Sequence, residues 1–525
     1  MKEMSADVLV VGGGLGGVAA ALAALRAGRS VVLTEEFDWL GGQLTSQAVP
    51  PDEHSWVEQF GVTASYRALR DGIRAYYRRH YPLTDAARRW VHLNPGAGGV
   101  SRLCHEPAVA KAVIEAMLLP YQSGGRLRIL QPYKAISADT DGDQVTAVTV
   151  TNGDQQRTIQ ARYVIDATET GELLPLTGTE YVTGFEAQSD TGEPSAPAAA
   201  QPMNMQAVSV CFAIDHVDGD HTIDKPQSYD FWRAYTPPFW GGPLLSFRSP
   251  SPRTLEIGER GFTPNPDDDP LKVRADQRLD PGDGNLWTFR RIAARKLFQD
   301  GHYASDITLV NWPMIDYFEA PVIDVPDSET QIMNAKELSK SVLYWLQTDM
   351  GFKGLRLRGD ITGSRDGLAQ APYIRESRRI KAEYTIVEQD LSHAVRGDKG
   401  SVAYPDSVGI GMYRIDLHPS TGGDTYIDVA SSPFQIPLGA LIPRRMENLL
   451  PASKNLGTTH ITNGCYRLHP VEWNIGEAAG ALAAYCLDTK STPRAVRNDE
   501  ARLSAFQHRL TEDGVELAWP DVTGY

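Results

Sequence analysis

Three glycines near the start of the chain stand at the spacing that holds a diphosphate. They are Gly12, Gly14 and Gly17, within the stretch VLVVGGGLGGVAAALAALRAGRSVVLTEE that begins at Val8. Each has its own physical task. Gly12 allows a tight turn, Gly14 lets the backbone approach a pyrophosphate, and Gly17 lets a helix pack closely on a strand. The helix that follows offers N–H groups and a partial positive charge to the phosphates. Glu35 comes eighteen residues after Gly17, where a second strand should end. Its carboxylate can accept both hydroxyls of an adenosine ribose. These residues predict a dinucleotide site and, taken alone, admit either NAD or FAD.

Other residues with chemical potential lie farther on. Arg375, Glu376, Arg378 and Arg379 form a dense charged cluster. If the segment is a helix, Arg375 and Arg379 share a face. They then clamp a carboxylate or phosphate, or pair with Glu376 and Glu383 on the same helix. Asn311, Trp312 and Tyr317 sit in the apolar run ITLVNWPMIDYF, as pocket lining or as core. In DTDGD (139–143) the position that should carry a bidentate acid for calcium is Val150, so a hairpin turn is expected. HVDGDH (216–221) reads as a polar turn. No metal site is expected.

The elements that must position these groups follow from periodicity. Residues 1–50 read as strand, helix, strand and loop. Residues 51–99 are rich in aromatics and arginine and read as a helical cap insertion, whose arginines form either a solvated face or an anion site. Glu106 to Leu119 reads as a helix with Pro107 near its start. Arg126 to Ile165 alternates as strands. Residues 188–201 and 263–285 are loop-like by composition. A helix covers Lys336 to Leu346, another covers 474–487, and the last forty residues read as a surface helix and tail.

The chain has 525 residues, 42% of them hydrophobic, with a net charge of −15. That supports a large core and argues against a nucleic-acid binder, which needs clustered Lys and Arg. The four cysteines, at 104, 211, 465 and 486, form no CxxC pair. Neither a zinc site nor a local redox disulfide is indicated. Val8 to Leu25 is uncharged, but its glycines and the acids before it argue against a membrane span or signal segment. The expectation is a cytoplasmic protein with no membrane association.

Several separated motifs resemble the FAD-dependent oxidoreductases with a glutathione-reductase-type FAD domain. They are GGQLTSQ at 41–47, VIDATETGELLPLTG at 164–178, and ENLLPASKNLGTTHITNGCYRLHPVEWNIGEAAG at 447–480. In the second, Glu169 stands where glycine is more usual. The sub-family resembled also carries GGVSRLCHEP (98–107), NWP (311–313) and PYIRESRRI (372–380). The resemblance implies an α/β fold, with a discontinuous Rossmann-like FAD-binding domain and an inserted α+β substrate domain. The expected FAD segments are 1–50, 100–180 and 441–490. The substrate domain covers 181–440, and 491–525 forms a C-terminal helix and tail. The implied cofactor contacts are Gly12, Gly14, Leu15, Gly16, Gly17, Glu35, Glu36, Gly41, Gly42, Gln43, Leu44, Thr45, Arg102, Ala167, Thr168, Asn455, Asn474 and Ile475. A helix starting near Asn474 would aim its N–H groups at the flavin pyrimidine, where charge gathers on reduction.

No second GxGxxG follows a strand. GIGMYR at 409–414 lacks the third glycine, and GAGG at 96–99 lies in a loop. A dedicated NAD(P)H domain is therefore not expected. The favoured reaction is dehydrogenation of a C–OH or C–N bond in a small polar metabolite, followed by reoxidation by oxygen or another acceptor. His460 and His469 are the candidate proton acceptors, with His105, beside Cys104, a third. Arg467 could balance a reduced, anionic flavin. Cys104 or His105 could anchor the flavin covalently. Asn311, Arg375 and Arg378 are the candidate substrate contacts. A flavin monooxygenase or halogenase, a tRNA-modifying FAD protein and a non-redox flavin protein are the competing readings.

Overall fold

The runs Val8–Val11 and Val31–Leu33 are apolar, rich in valine and buried, which suits the middle of a parallel sheet. In the computed structural model, which describes residues 2–272 and 284–522, they form β1 (Lys2–Val11) and β2 (Val31–Thr34). The two strands pair in parallel, Val8 opposite Val31, and α1 (Leu15–Arg26) crosses between them. Downstream come α2 (Ala64–His80), α3 (Asp85–Arg89) and α4 (Pro107–Ser123). Pro107 occupies the first helical turn, where its missing N–H costs nothing.

Strand β3 (Leu127–Leu130) joins the free edge of β2 in parallel. Then β4 (Lys134–Asp141) and β5 (Gln144–Thr151) form the hairpin expected at DTDGD. Strand β6 (Gln156–Asp166) pairs in parallel with β1 and places Asp166 beside Val11. The order is β3-β2-β1-β6-β5-β4, and a strand from far along the chain, Leu449–Pro451, also pairs in parallel with β6.

That late strand leads into the helix His469–Thr489, buried along His469–Leu487. It lies against α1 at backbone contact. A Cβ added to Gly476 would sit 2.0 Å from the Gly16 carbonyl oxygen, and one on Gly480 would sit 2.1 Å from that of Ala20. Small residues on both helices permit this approach.

A second, antiparallel sheet runs Arg291–Ala293, Ile307–Val310, Phe212–His216, Leu355–Leu357. Close to it the short pair Val208–Ser209 and Asp316–Tyr317 and the hairpin Ile415–Leu417 with Ile427–Val429 bring polar side chains together. One apolar core extends from α1 into this sheet, and a smaller one covers the other face of the first sheet. Among the described residues no helix is long and apolar enough to cross a membrane.

Several expectations need correction. The late helix starts at His469, not near Asn474, because Pro470 suits its first turn. Residues 374–378 are not helical, and Arg379–Ile380 is a short strand. Arg375 and Arg379 therefore share no helix face. The helix expected at Lys336–Leu346 runs Ser328–Thr348. Gln188–Thr191 forms one helical turn within the expected loop. The loop expected at 263–285 and the tail lie partly outside the described residues.

Candidate functional site

The glycine turn opens a cleft of about 250 Å³ lined by Gly12, Gly14, Glu35, Gly42, Thr168 and Glu169, among others. Gly12 has φ +99°, and a Cβ there would sit 2.3 Å from the Ala167 carbonyl oxygen. Only glycine tolerates both conditions. The Glu35 carboxylate folds back on the turn and accepts the N–H groups of Gly13 and Phe37, each at 2.8 Å. Burial pushes its carboxyl up to about 8 against these two hydrogen bonds, with Glu169 and Glu36 adding to the rise.

The N-terminus of α1 draws two carboxylates. Glu472 accepts from the Gly16 N–H at 3.3 Å. The Glu169 Oε1 lies 3.0 Å from a Cβ built on Gly14 and 3.1 Å from one on Gly42, and it has no hydrogen-bond partner. Lys454, fully buried, pairs with Glu169 and lies 3.6 Å from Glu472. Burial opposes its charge, but the two carboxylates outweigh it and push Lys454 up to about 12. A fixed cation at a glycine cradle fits a diphosphate. The Glu169 carboxylate stands where that diphosphate would approach.

Beyond the cradle, buried polar atoms lack partners in the protein: Oε1 of Gln43, both amide atoms of Gln47, Nε of Arg467 and Nε2 of His469. The Asp52 N–H donates to Nδ1 of His469 at 3.0 Å. The ring lone pair is thus taken, and Nε2 carries the hydrogen. Burial, then Lys454 and Arg290, hold His469 well below the usual histidine range. It is a neutral donor rather than a base. Unpaired donors and acceptors of this kind fit a flat heterocycle with carbonyl and N–H edges, and so fit a flavin.

A second cavity of about 120 Å³ is lined by Asn311, Trp312, Arg290, Tyr413, His418 and Tyr426, among others. Nδ1 of His418 lies 2.6 Å from Oδ2 of Asp316. Asp316 in turn meets Nη2 of Arg375 at 3.0 Å and the Ser209 hydroxyl at 2.6 Å. Asp316 is buried, yet Arg375 and His418 hold its carboxyl at about 2. An ionised carboxylate only accepts, so Nδ1 of His418 carries a hydrogen and Nε2 is the ring nitrogen at which a proton can be exchanged. On that side lies Oδ2 of Asp416, 3.8 Å away, which also meets Nη2 of Arg467 at 3.2 Å. The imidazole sits between two aspartates, each backed by an arginine.

The sequence candidates divide accordingly. Gly12, Gly14, Glu35, Glu36, Gly42, Ala167 and Thr168 line the first cleft. Leu15, Gly16 and Gly17 form the first turn of α1 behind it, and Gly41, Gln43, Leu44 and Thr45 form the adjoining turn. Asn455 donates to the Asp166 carbonyl at 3.0 Å and ties the late strand to β6. Asn474 and Ile475 are interior to the late helix, and Asn474 accepts from the Ile410 N–H at 3.2 Å. They offer no helix terminus. Arg102 lines neither cavity, and its carbonyl accepts from Arg74 at 3.4 Å.

His460 also lines neither cavity. Its Nδ1 lies 2.9 Å from Glu376 and its ring stacks on Phe185. Arg378 pairs with Asp324 at 2.7 Å. Arg375 stands behind the second cavity rather than in it, while Asn311 is in its wall. His418, Asp316, Asp416 and Arg290 were not expected. One signal was present: Asp316 is a lone acid in an otherwise apolar run.

Among solved structures, the chain is similar to an L-proline dehydrogenase from P. horikoshii, at 17% identity over 35% of this chain and 24% of that one, with TM-score 0.18. It is similar to an anhydrotetracycline hydroxylase from Streptomyces rimosus, at 17% identity over 41% and 39%, with TM-score 0.23. A geranylgeranyl bacteriochlorophyll reductase-like protein from Thermoplasma acidophilum matches over 98% and 85%, at 11% identity and TM-score 0.34. The chain thus spans 24% and 39% of the first two proteins, and the reactions named are theirs. Residues 7–510 match the family described as FAD dependent oxidoreductase. With a nearly full-length match and a glycine cradle that fits the cofactor, the chain belongs to the FAD-dependent oxidoreductases.

Proposed function

We propose that this enzyme oxidises a C–OH or C–N bond of a small substrate held in the second cavity, with His418 taking the proton. Bound FAD would supply two-electron, hydride-accepting chemistry. In this reading Gly12, Gly14 and Lys454 hold the diphosphate and Glu35 holds the ribose. Gln43, Gln47 and His469 Nε2–H meet the edges of the ring. With hydride-accepting chemistry supplied by the bound cofactor, His418 Nε2 would take the X–H proton of a substrate CH–XH (X being O or N), leaving C=X.

Asp316 keeps Nε2 available as the lone pair, and Asp416 faces the N–H that forms there. The His418 side chain is 22% exposed, so the proton can pass on to water. The observation that carries this reading is the carboxylate-oriented histidine in the wall of a cavity separate from the glycine cradle.

The test is anaerobic bleaching of the holoenzyme against alcohols, hydroxy acids, amines and amino acids. Bleaching by one of these, lost in His418→Gln, is expected. Rapid bleaching by NADPH, with none by any organic donor, would replace this reading with a hydroxylase or halogenase type.

A further inference from the structure

The second cavity carries a cation that the protein leaves incompletely paired. Arg290 sits just before the strand Arg291–Ala293, and the Leu309 N–H donates to its carbonyl at 3.0 Å, which fixes its backbone. Its side chain is only 13% exposed. Nε and Nη1 are buried without a hydrogen-bond partner. The ion pair with Asp52 is 3.8 Å long, beyond hydrogen-bonding distance. Burial opposes its charge, but Asp52 together with Tyr413, Tyr373 and Cys211 outweighs it and keeps the guanidinium protonated. A buried donor of this kind is costly unless something accepts from it.

The rest of the wall agrees. Four arginines (253, 260, 290, 414) face three aspartates (52, 416, 428), an excess of one positive charge over these groups. Arg414 and Arg253 converge on Asp428, and Arg260 donates to the Ser249 hydroxyl at 2.8 Å. Leu286, Phe289 and Trp312 supply apolar surface.

We infer that the second cavity is a carboxylate site that takes an apolar or aromatic acid, with Arg290 as its anchor. A guanidinium offers two parallel N–H groups to the two oxygens of a carboxylate. A single anion across the Nη1–Nη2 edge would satisfy Nη1 and balance the wall. The inference rests on the reading above for what happens next. Arg290 and His418 line one small chamber, so the bond oxidised lies close to the carboxylate. The substrate class is then an apolar 2-hydroxy or 2-amino acid, oxidised to the 2-oxo or 2-imino acid with its proton on His418.

The test uses the holoenzyme and benzoate, an aromatic acid with no oxidisable C–H bond next to the carboxylate, with benzamide as the neutral control. Binding is read as a saturable perturbation of the flavin absorbance. Benzoate should bind, benzamide should not, and Arg290→Met should weaken benzoate about 100-fold, the order of a lost charge-assisted fork. Arg290→Lys keeps the charge without the fork. It should weaken benzoate by a smaller factor, and it serves if Arg290→Met does not fold. Equal binding of benzoate and benzamide, or benzoate binding unchanged in both variants, overturns the proposal. Bleaching by a neutral alcohol, undiminished in Arg290→Lys, also overturns it while the dehydrogenase reading stands. Arg290-dependent benzoate binding without bleaching by any hydroxy or amino acid upholds the carboxylate site and removes the dehydrogenase reading.

Discussion

His418 and Asp316 come within 2.6 Å of each other although 102 residues separate them. Asp316 starts a two-residue strand, and His418 directly follows the strand Ile415–Leu417. Arg375 and Ser209 pin the carboxylate from behind. His418→Gln should slow cofactor reduction by about 10²–10⁴-fold, the usual scale for a lost general base. Asp316→Asn should lower kcat with little change in KM, because it positions His418 without touching substrate. Stopped-flow reduction would measure both. A KM effect with kcat intact would count against this assignment.

Glu169 stands over the glycine cradle with one oxygen unpartnered, and Lys454 balances it. A carboxylate there repels a diphosphate and competes with it for Lys454. Glu169→Gln should tighten FAD by about tenfold, ~1.4 kcal/mol. Lys454→Met should weaken it by at least as much. Fluorescence titration of the apoprotein with FAD would show the order, and the reverse order would contradict this account.

Glu35 ties protonation to folding. Its carboxyl titrates near 4.5 in the unfolded chain and at about 8 in the fold. The folded protein therefore holds this proton more tightly. The resulting stabilisation is complete below about pH 4.5 and is lost as pH rises through 8. Relative to wild type, Glu35→Gln apoprotein should gain thermal stability as pH rises across this window. A Tm difference that stays constant from pH 5 to 8 would falsify the prediction.

Gly480 meets α1 with no room for a methyl group, its Cβ position being 2.1 Å from the Ala20 carbonyl oxygen. Gly480→Ala must push the two helices apart. The cost should be about 1–3 kcal/mol, the scale of overpacking a core, read as a lower Tm. The loss should persist in both apoprotein and holoenzyme, because the contact is between helices.

The first cleft was legible in the sequence because its determinants are local. Gly12, Gly14 and Glu35 lie within one strand–helix–strand unit, and short-range geometry fixes a turn, a helix end and a strand end. The late GEAAG segment was legible as a close-packing helix for the same reason. Its start was not, because Pro470 extends the helix back to His469 and leaves Asn474 inside it.

The second cavity could not be read this way. His418, Asp316, Arg375 and Arg290 come from four separate segments, and only strand pairing and core burial bring them together. Sequence spacing left Arg375 open between a ligand clamp and an ion pair, and tertiary structure placed it behind Asp316. The resemblance of its segment favoured His460 as a base, but it packs against Glu376 and Phe185 and lines neither cavity. The glycine cradle could be read from the chain alone, since a backbone turn is written in adjacent residues. Which histidine faces a cavity depends on long-range packing, since the carboxylate that orients it lies 102 positions away.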